Sequence, residues 1–216
     1  MIDEKMKNEL KGIFAKELKE EVKLWLFTSK NKDICPYCKE TLELINEIGS
    51  IEERVKVFHY DIDEHKSEAK VFGIDKVPAM LVHGAKAYGI YYYGIPSGYE
   101  FSSLIGDIID VSNGKTGLSE AIKKEARAIN SNVDIKVFVT PTCPYCPRAV
   151  RVAHMLAMEN SNIKSSMIEA TEFMEMSSKY DVMGVPKVVI NDTVSFEGAL
   201  PEEEFINHIK EAISKA

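Results

Sequence analysis

A short apolar segment runs directly into a pair of cysteines at Val137-Phe138-Val139-Thr140-Pro141-Thr142-Cys143-Pro144-Tyr145-Cys146. The same Cys-Pro-Tyr-Cys tetrapeptide stands 108 positions earlier, at Cys35-Pro36-Tyr37-Cys38. The dipeptides Val77-Pro78 and Val185-Pro186 are also 108 positions apart. Two landmarks that repeat at one offset indicate a duplicated unit, and each copy carries a dithiol followed by a proline.

The chain has 216 residues, which is enough for two domains of ordinary size. The duplication predicts two units, residues 1–115 and 116–216, joined near Asn113-Gly114-Lys115-Thr116-Gly117, a stretch of turn residues. Within each unit the apolar periodicity predicts the order α-β-α-β-α-β-β-α. The β-α-β opening indicates a parallel strand pair, and the final hairpin adds antiparallel strands. We therefore predict an α/β fold with a four-stranded mixed sheet, flanked by helices, in each unit.

Composition argues against several classes of function. The net charge is −7 and no basic stretch stands out, so we expect no nucleic-acid partner. No apolar run reaches the 18 residues that would predict a membrane span. Residues 1–7 are polar and lack the apolar core of a secretory signal. We expect a cytoplasmic protein, in which a C-x-x-C pair serves catalysis or metal binding more often than structure.

The two cysteines of each motif have different expected roles. The attacking species in disulfide exchange is a thiolate, which the free amides and dipole of a helix N-terminus stabilise. Because each motif stands just before a stretch of helical periodicity, we predict Cys35 and Cys143 as the nucleophiles. Cys38 and Cys146 follow one helical turn later, where they can close a disulfide and resolve the mixed intermediate.

The residues inside the motifs also have expected roles. Pro36 and Pro144 suit the first helical position, where φ is already set and no amide is needed. Tyr37 and Tyr145 are candidates for contacts with a client protein at the rim of each site. Four methionines could line an apolar peptide groove, although we expect core packing for them: Met167, Met174, Met176 and Met183.

Zinc binding is the main alternative for an isolated C-x-x-C pair. A zinc site would require both pairs to converge on one ion, yet they lie in separate units, and Pro-Tyr inside each pair disfavours a zinc knuckle. The five histidines show no ligand spacing, and we expect them at surface or satisfied core positions. We predict no metal and no bound cofactor.

Both halves resemble the thioredoxin fold, and their motifs are most similar to those of glutaredoxins. The tandem arrangement resembles, over nearly the whole chain, the glutaredoxin-like protein disulfide oxidoreductases of thermophilic archaea and bacteria. The resemblance implies an enzyme that reduces, oxidises or isomerises protein disulfides. It also implies that Pro78 and Pro186 are cis and lie against the dithiols, so that the backbone of Val77 and Val185 pairs with an extended client peptide.

The sequence also departs from these relatives. Thioredoxins carry a buried Asp six residues before the first cysteine, where this chain has Ser29 and Val137, so that proton acceptor is missing. Glutaredoxins bind glutathione partly through a Gly-Gly pair and an Asp near the last strand. Phe196-Glu197-Gly198-Ala199-Leu200 does not reproduce that pattern, and we expect no dependence on glutathione.

The resemblance implies partners as well as clients. Electrons would arrive from a partner such as a flavoprotein thioredoxin reductase and would leave to client proteins or to a peroxiredoxin. An alternative role is that of a dedicated electron carrier to a peroxidase, because the N-terminal region of bacterial alkyl hydroperoxide reductase flavoproteins is also similar. A non-enzymatic alternative is a peptide-binding chaperone whose dithiols are incidental.

Overall fold

The computed structural model describes residues 2–215, so residues 1 and 216, the outermost of the two predicted units, lie outside it. The predicted order of elements is confirmed in both halves. The first half contains α1 (Glu4–Glu17), β1 (Val22–Thr28), α2 (Cys38–Ile51), β2 (Val55–Asp61), α3 (Lys66–Phe72), β3 (Ala79–His83), β4 (Ile90–Tyr93) and α4 (Glu100–Asn113). The second half contains α5 (Glu120–Arg127), β5 (Val133–Val139), α6 (Cys146–Glu159), β6 (Ile163–Glu169), α7 (Met174–Lys179), β7 (Lys187–Ile190), β8 (Val194–Glu197) and α8 (Glu202–Ser214).

The strands of both halves form one sheet, in the order β2-β1-β3-β4-β6-β5-β7-β8. Each half contributes the predicted four-stranded mixed sheet, and a parallel pairing of β4 with β6 joins the two, from Ile90 opposite Ser165 to Tyr93 opposite Ile168. The strands β1, β2, β4, β5 and β6 all run in the same direction. The loops that follow β1 and β5, which carry the dithiols, therefore leave the same edge of the sheet.

Apolar residues cover both faces of this sheet, as strands this apolar require. The larger cluster includes fully buried side chains from five helices: Phe14, Ile45, Leu104, Leu156 and Phe205. The smaller cluster contains Ala69 of α3. Phe72, at the end of α3, packs against it, as do Met176 of α7 and Tyr180, which directly follows α7. Trp25 is half-buried, packs against this smaller cluster and stacks on Phe58 with 4.4 Å between ring centroids.

Local sequence signals fix several helix ends. Asp3 accepts a hydrogen bond from the amide of Met6 and so caps the first turn of α1. Gly73 ends α3 at a φ of 65°, the left-handed conformation that glycine adopts without a Cβ clash. Gly114 ends α4 in the same way, at a φ of 60°. This capping lies inside the predicted linker, and we keep the division into units 1–115 and 116–216 as a proposal.

The described helices include none that is both long enough and apolar enough to cross a membrane.

Candidate functional site

Both Cys-Pro-Tyr-Cys motifs are closed as disulfides. The Cα atoms of Cys35 and Cys38 are 5.4 Å apart, and those of Cys143 and Cys146 are 5.5 Å apart. All four cysteines of the chain are therefore paired within their own motif, and neither pair reaches toward the other. The geometry is that of two separate dithiol–disulfide couples.

The helices begin later than the sequence predicts. The first helical residues are Cys38 in α2 and Cys146 in α6, so the prediction that Pro36 and Pro144 occupy the first helical position is wrong. The proline in the first turn of α6 is Pro147, which directly follows the motif. A proline is tolerated there because the first-turn amides have no partner within the helix. The first cysteine of each motif accordingly lies just before the helix rather than within it.

The helix amide nevertheless reaches the predicted nucleophile of the second motif. The amide of Cys146 points at the Sγ of Cys143 across 3.1 Å. An amide at the start of a helix stabilises a thiolate through both its hydrogen bond and the helix dipole. Cys143 keeps 7% of its surface exposed while Cys146 has 0%, so Cys143 is the less buried residue of the pair.

The first motif is arranged differently. The amide of Ser29 lies 3.2 Å from the Sγ of Cys38, so the backbone contact here falls on the second cysteine. Cys35 is 2% exposed and Cys38 is 4% exposed, so burial alone does not separate their roles. The two copies of the motif therefore present different sulfur environments despite identical sequences.

Both prolines expected to be cis are cis, in the Val77-Pro78 and Val185-Pro186 peptides. In the second unit this segment touches the dithiol, because the Sγ of Cys143 lies 3.7 Å from the carbonyl oxygen of Val185. Val77 lies in the buried cluster that also contains Cys35 and Cys38. The structure thus brings Val185 against the second disulfide and places Val77 in the same buried cluster as the first.

The rims of the two sites differ in polarity. Tyr37 is 49% exposed and Tyr145 is 71% exposed, as expected for residues at a rim. Met183, two residues before Val185, is 91% exposed, so the expectation of core packing is wrong for this methionine and for Met174, while Met167 is buried. In the first unit the position equivalent to Met183 is Asp75, which forms an ion pair with Lys76. The second site therefore has the more apolar rim.

Neither unit has a carboxylate at the position of the missing thioredoxin Asp, but the residue at this position in the first unit is not the predicted Ser29. Strands β1 and β5 both have seven residues, and β1 ends seven positions before Cys35 whereas β5 ends four positions before Cys143. The first loop is thus longer by three residues. The counterpart of Val137 is Leu26, not Ser29, and both side chains are fully buried.

A cavity of about 420 Å³, here called the first-site cavity, opens beside the first dithiol. Its walls include Cys35, Cys38, His59, Asp61 and Glu64. The Nε2 atom of His59 lies 2.7 Å from the hydroxyl of Thr28, and burial lowers the pKa of His59. Sequence reasoning missed these residues, because a histidine on a strand gives no signal until the strand is placed beside the dithiol helix.

In the second unit, residues 94–99 of the first unit, here called the covering segment, lie against Glu169 and Glu172, the counterparts of Asp61 and Glu64 in the cavity wall. Its Ile95 amide donates to Glu172 Oε1 at 2.7 Å, and its Tyr99 amide donates to the carbonyl of Pro141 at 2.9 Å. Burial raises the pKa of Glu172 to about 7. Glu100, directly after the segment, is 1% exposed, and burial raises its pKa to about 7 as well.

Comparison with known proteins places the chain among thiol–disulfide proteins. Residues 133–211 match the family described as thioredoxin domain. The crystal structure of a protein disulfide oxidoreductase from Aeropyrum pernix k1 superposes with a TM-score of 0.93 and 30% identity, covering 100% of this chain and 95% of that one. The NTD_N/C domain of alkylhydroperoxide reductase AhpF from Enterococcus faecalis gives a TM-score of 0.88 at 26% identity, covering 97% of this chain and 100% of that domain.

Relatives with longer chains show the same similarity. An alkyl hydroperoxide reductase protein of Staphylococcus aureus is 26% identical over 172 residues, which are 79% of this chain. A protein named NADH dehydrogenase from Bacillus subtilis is 24% identical over 168 residues, which are 78% of this chain. The match spans only 31% of the length of each of these relatives.

Proposed function

This chain belongs to the family of protein disulfide oxidoreductases with tandem thioredoxin-fold units, and we propose that Cys35 and Cys143 are its two nucleophiles, resolved by Cys38 and Cys146. The enzyme catalyses thiol–disulfide exchange. The observation that carries the assignment is the second site, where an α6 amide points at the sulfur of Cys143 and the sulfur of Cys146 is fully buried behind it.

The proposed reaction balances in two steps when the enzyme reduces a client. The thiolate of Cys143 attacks one sulfur of the client disulfide, forms a mixed disulfide and releases the other client sulfur as a thiolate, which takes up a proton. The thiol of Cys146 then loses its proton and attacks the Sγ of Cys143, releasing the second client thiol. Two electrons pass from the dithiol to the client, and oxidation of a client is the same sequence in reverse.

The residues around the sulfurs would hold the client in place. We propose that the backbone of Val77 and Val185 pairs with an extended client segment, because Val185 is in contact with Cys143 at the cis proline. The prolines and tyrosines inside the motifs would complete the rim: Pro36, Tyr37, Pro144 and Tyr145. The cis prolines themselves, Pro78 and Pro186, would keep the client backbone beside the disulfide.

A catalytic assay with two variants tests this proposal. With dithiothreitol as donor, the wild type should accelerate the reduction of insulin disulfides, and a Cys35→Ser plus Cys143→Ser variant should show only the uncatalysed rate. Undiminished turnover by that variant would refute the assigned nucleophiles, and activity of a variant with all four cysteines replaced by Ser in an aggregation assay would favour a peptide-binding role. After reduction, iodoacetamide should label Cys143 before Cys146 near neutral pH, and the opposite order would reverse their roles.

A second candidate function is electron transfer to a peroxidase. The similarity to the alkyl hydroperoxide reductase protein of Staphylococcus aureus favours it, because 79% of this chain matches a segment of that protein. We propose that a flavoprotein reductase donates electrons to one dithiol and that a peroxiredoxin accepts them. Reduction of the chain by a purified flavoprotein thioredoxin reductase, followed by turnover of a peroxiredoxin, would support this role.

We place both activities in the cytoplasm, because all four cysteines belong to the dithiols and none forms a structural disulfide.

A further inference from the structure

The two dithiol units differ in what lies beside the strand that follows the dithiol helix. Strands β2 and β6 are equivalent: each has seven residues, and each pairs in parallel with the strand that precedes its own motif. Strand β6 has a second neighbour, because β4 pairs with its other side. Strand β2 is the last strand of the sheet, and within residues 2–215 nothing pairs with its outer side.

The chain that follows β4 continues along β6 into the second site. Gly94 approaches so closely that a Cβ at this position would lie 2.5 Å from the Cβ of Glu169. The covering segment then bonds to Glu172 through the amide of Ile95 and to Pro141 through the amide of Tyr99. Strand β4 therefore runs extended beside β6, and the covering segment that follows it turns at residues 98–99 and ends against the loop that carries the second dithiol.

The equivalent path beside β2 is open. Asp61 and Glu64 occupy the positions of Glu169 and Glu172, 108 residues earlier in the chain. Where the covering segment lies in the second unit, the first unit has the first-site cavity, lined by Asp61, Glu64 and both cysteines of the motif. Within residues 2–215 no backbone amide donates a hydrogen bond to the Glu64 carboxylate, which pairs instead with the exposed Lys30 at 2.5 Å.

Alternate residues of β2 point their backbone amides and carbonyls away from the sheet, at the positions equivalent to those that face β4 in β6. Ser165 of β6 donates its amide toward β4, to the carbonyl of Gly89 at 2.7 Å, so the odd positions of β6 face β4. In β2 the even positions face β1, as shown by the bonds from Val22 to Arg54 and from Ile62 to Thr28, both at 2.8 Å. The amides and carbonyls of Val57 and His59 therefore point away from the sheet. An edge with such free groups is a template for an added strand.

We propose that the free edge of β2, together with the first-site cavity, binds an extended segment of a client protein that runs parallel to β2 and delivers its disulfide to Cys35. The proposal rests on the proposed function and names the surface that serves the first dithiol. The edge is continuous with the site at which the client would be covalently held, because both cysteines of the motif and His59 and Asp61 of β2 line the same cavity. A second copy of this chain fits less well, since two β2 edges related by a twofold axis would pair antiparallel and neither would lead into the other's cavity.

Trapping a client at Cys35 tests the proposal. A full-length variant with Cys38→Ser, Cys143→Ser and Cys146→Ser leaves Cys35 as the one reactive sulfur, and insulin is the client. In the mixed disulfide, hydrogen exchange at the amides of Val57 and His59 should slow by at least tenfold relative to the alkylated variant. The amide of Ser165, which is already bonded, should not change.

The other possible outcomes distinguish failure of docking on the edge from failure of the proposed function. A mixed disulfide that leaves exchange in β2 unchanged would refute docking on the edge while keeping the proposed function, and failure to form any mixed disulfide would refute both. Protection of the same amides in the free protein that disappears on dilution would show a second copy on the edge and would refute the client assignment.

A proline substitution gives a second measurement. Val57→Pro removes one outward amide and leaves the bonds to β1 in place, as prolines at sheet edges do. With the second dithiol silenced by Cys143→Ser and Cys146→Ser, the KM for insulin should rise roughly fivefold, the effect of one hydrogen bond. Reduction of a small aromatic disulfide should keep its rate. An equal KM for insulin with and without Val57→Pro, in the background that lacks the second dithiol, would contradict docking on the β2 edge.

Discussion

The ring of His154 lies 2.6 Å from the carboxylate of Asp107, Nδ1 to Oδ2, across the packing of α6 against α4. The hydroxyl of Tyr92 donates to the same carboxylate, and the guanidinium of Arg151 pairs with Asp107 and with Asp110. Burial lowers the pKa of His154 to about 3, so the ring is neutral and donates its Nδ1 proton. One fully buried acidic residue of the first half thus accepts hydrogen bonds from both halves of the chain.

Removing this acceptor should cost considerable stability. Asp107→Asn leaves Arg151 with a buried charge that Asp110 alone compensates, and breaking a buried ion pair costs about 3 kcal/mol or more. We expect a loss of this size in the free energy of unfolding, measured by urea titration. Glu120→Gln, which breaks an exposed pair with Lys123, is the matched control and should leave the curve unchanged. A loss for Asp107→Asn no larger than that of the control would contradict a structural role for the network.

Stability should also depend on pH through Glu100. Burial raises its folded pKa from 4.5 to about 7, so its favourable contribution is complete below pH ~4.5 and is lost as the pH rises through about 7. The shift corresponds to at most about 3 kcal/mol between these limits. Urea titrations from pH ~5 to ~8 should show stability falling in the wild type and a flatter profile for Glu100→Gln.

The exposed Glu203 on α8 provides the control for that measurement, since Glu203→Gln should keep the wild-type slope. An unchanged slope for Glu100→Gln would mean that other groups cause the pH dependence. Glu172, whose pKa burial also raises to about 7, would be the next to test.

The sequence predicts well what local signals determine. The dithiols, the order of elements and the caps at Asp3 and Gly73 depend on neighbours in the chain, and the duplication doubles each signal. The pairing of β4 with β6 could not be predicted, because it joins residues far apart in the sequence, such as Ser165 and Gly89, and no local pattern specifies such a contact. Both α2 and α6 begin later than predicted, and only α6 has a second proline, Pro147, so that proline does not explain the later start.

The candidate site divides in the same way. The four cysteines and the cis prolines follow from motif and resemblance, whereas the first-site cavity depends on β2 being the sheet edge. Glu172 and Asp107 gave no signal in the sequence, since an acidic residue on an amphipathic stretch usually faces solvent. Their burial results from contact between the two halves, which no local pattern encodes.

The apolar rim of the second site should contribute to client binding. Met183→Asp introduces the residue that the first unit has at the equivalent position, Asp75. Losing part of the burial of a methionine on binding, about 1 kcal/mol, should raise the KM for insulin roughly fivefold when the first dithiol is silenced. Val71→Asp, at another highly exposed apolar position, on α3, should have no effect. Equal KM values for the two variants would show that Met183 does not touch the client.

The two dithiols should contribute unequally to insulin reduction. Cys143 is 7% exposed with a helix amide pointing at its sulfur, whereas Cys35 is 2% exposed and the nearby Ser29 amide points at Cys38 instead. A difference of 1.4 kcal/mol in stabilisation of the reduced form corresponds to about 30 mV in the potential of this two-electron couple, so we expect potentials that differ by roughly tens of millivolts. Cys143→Ser should therefore lower turnover more than Cys35→Ser, with each potential measured by equilibration of the single-dithiol variants against glutathione. Equal losses together with equal potentials would show that the different sulfur environments have no functional consequence and that the two sites are interchangeable.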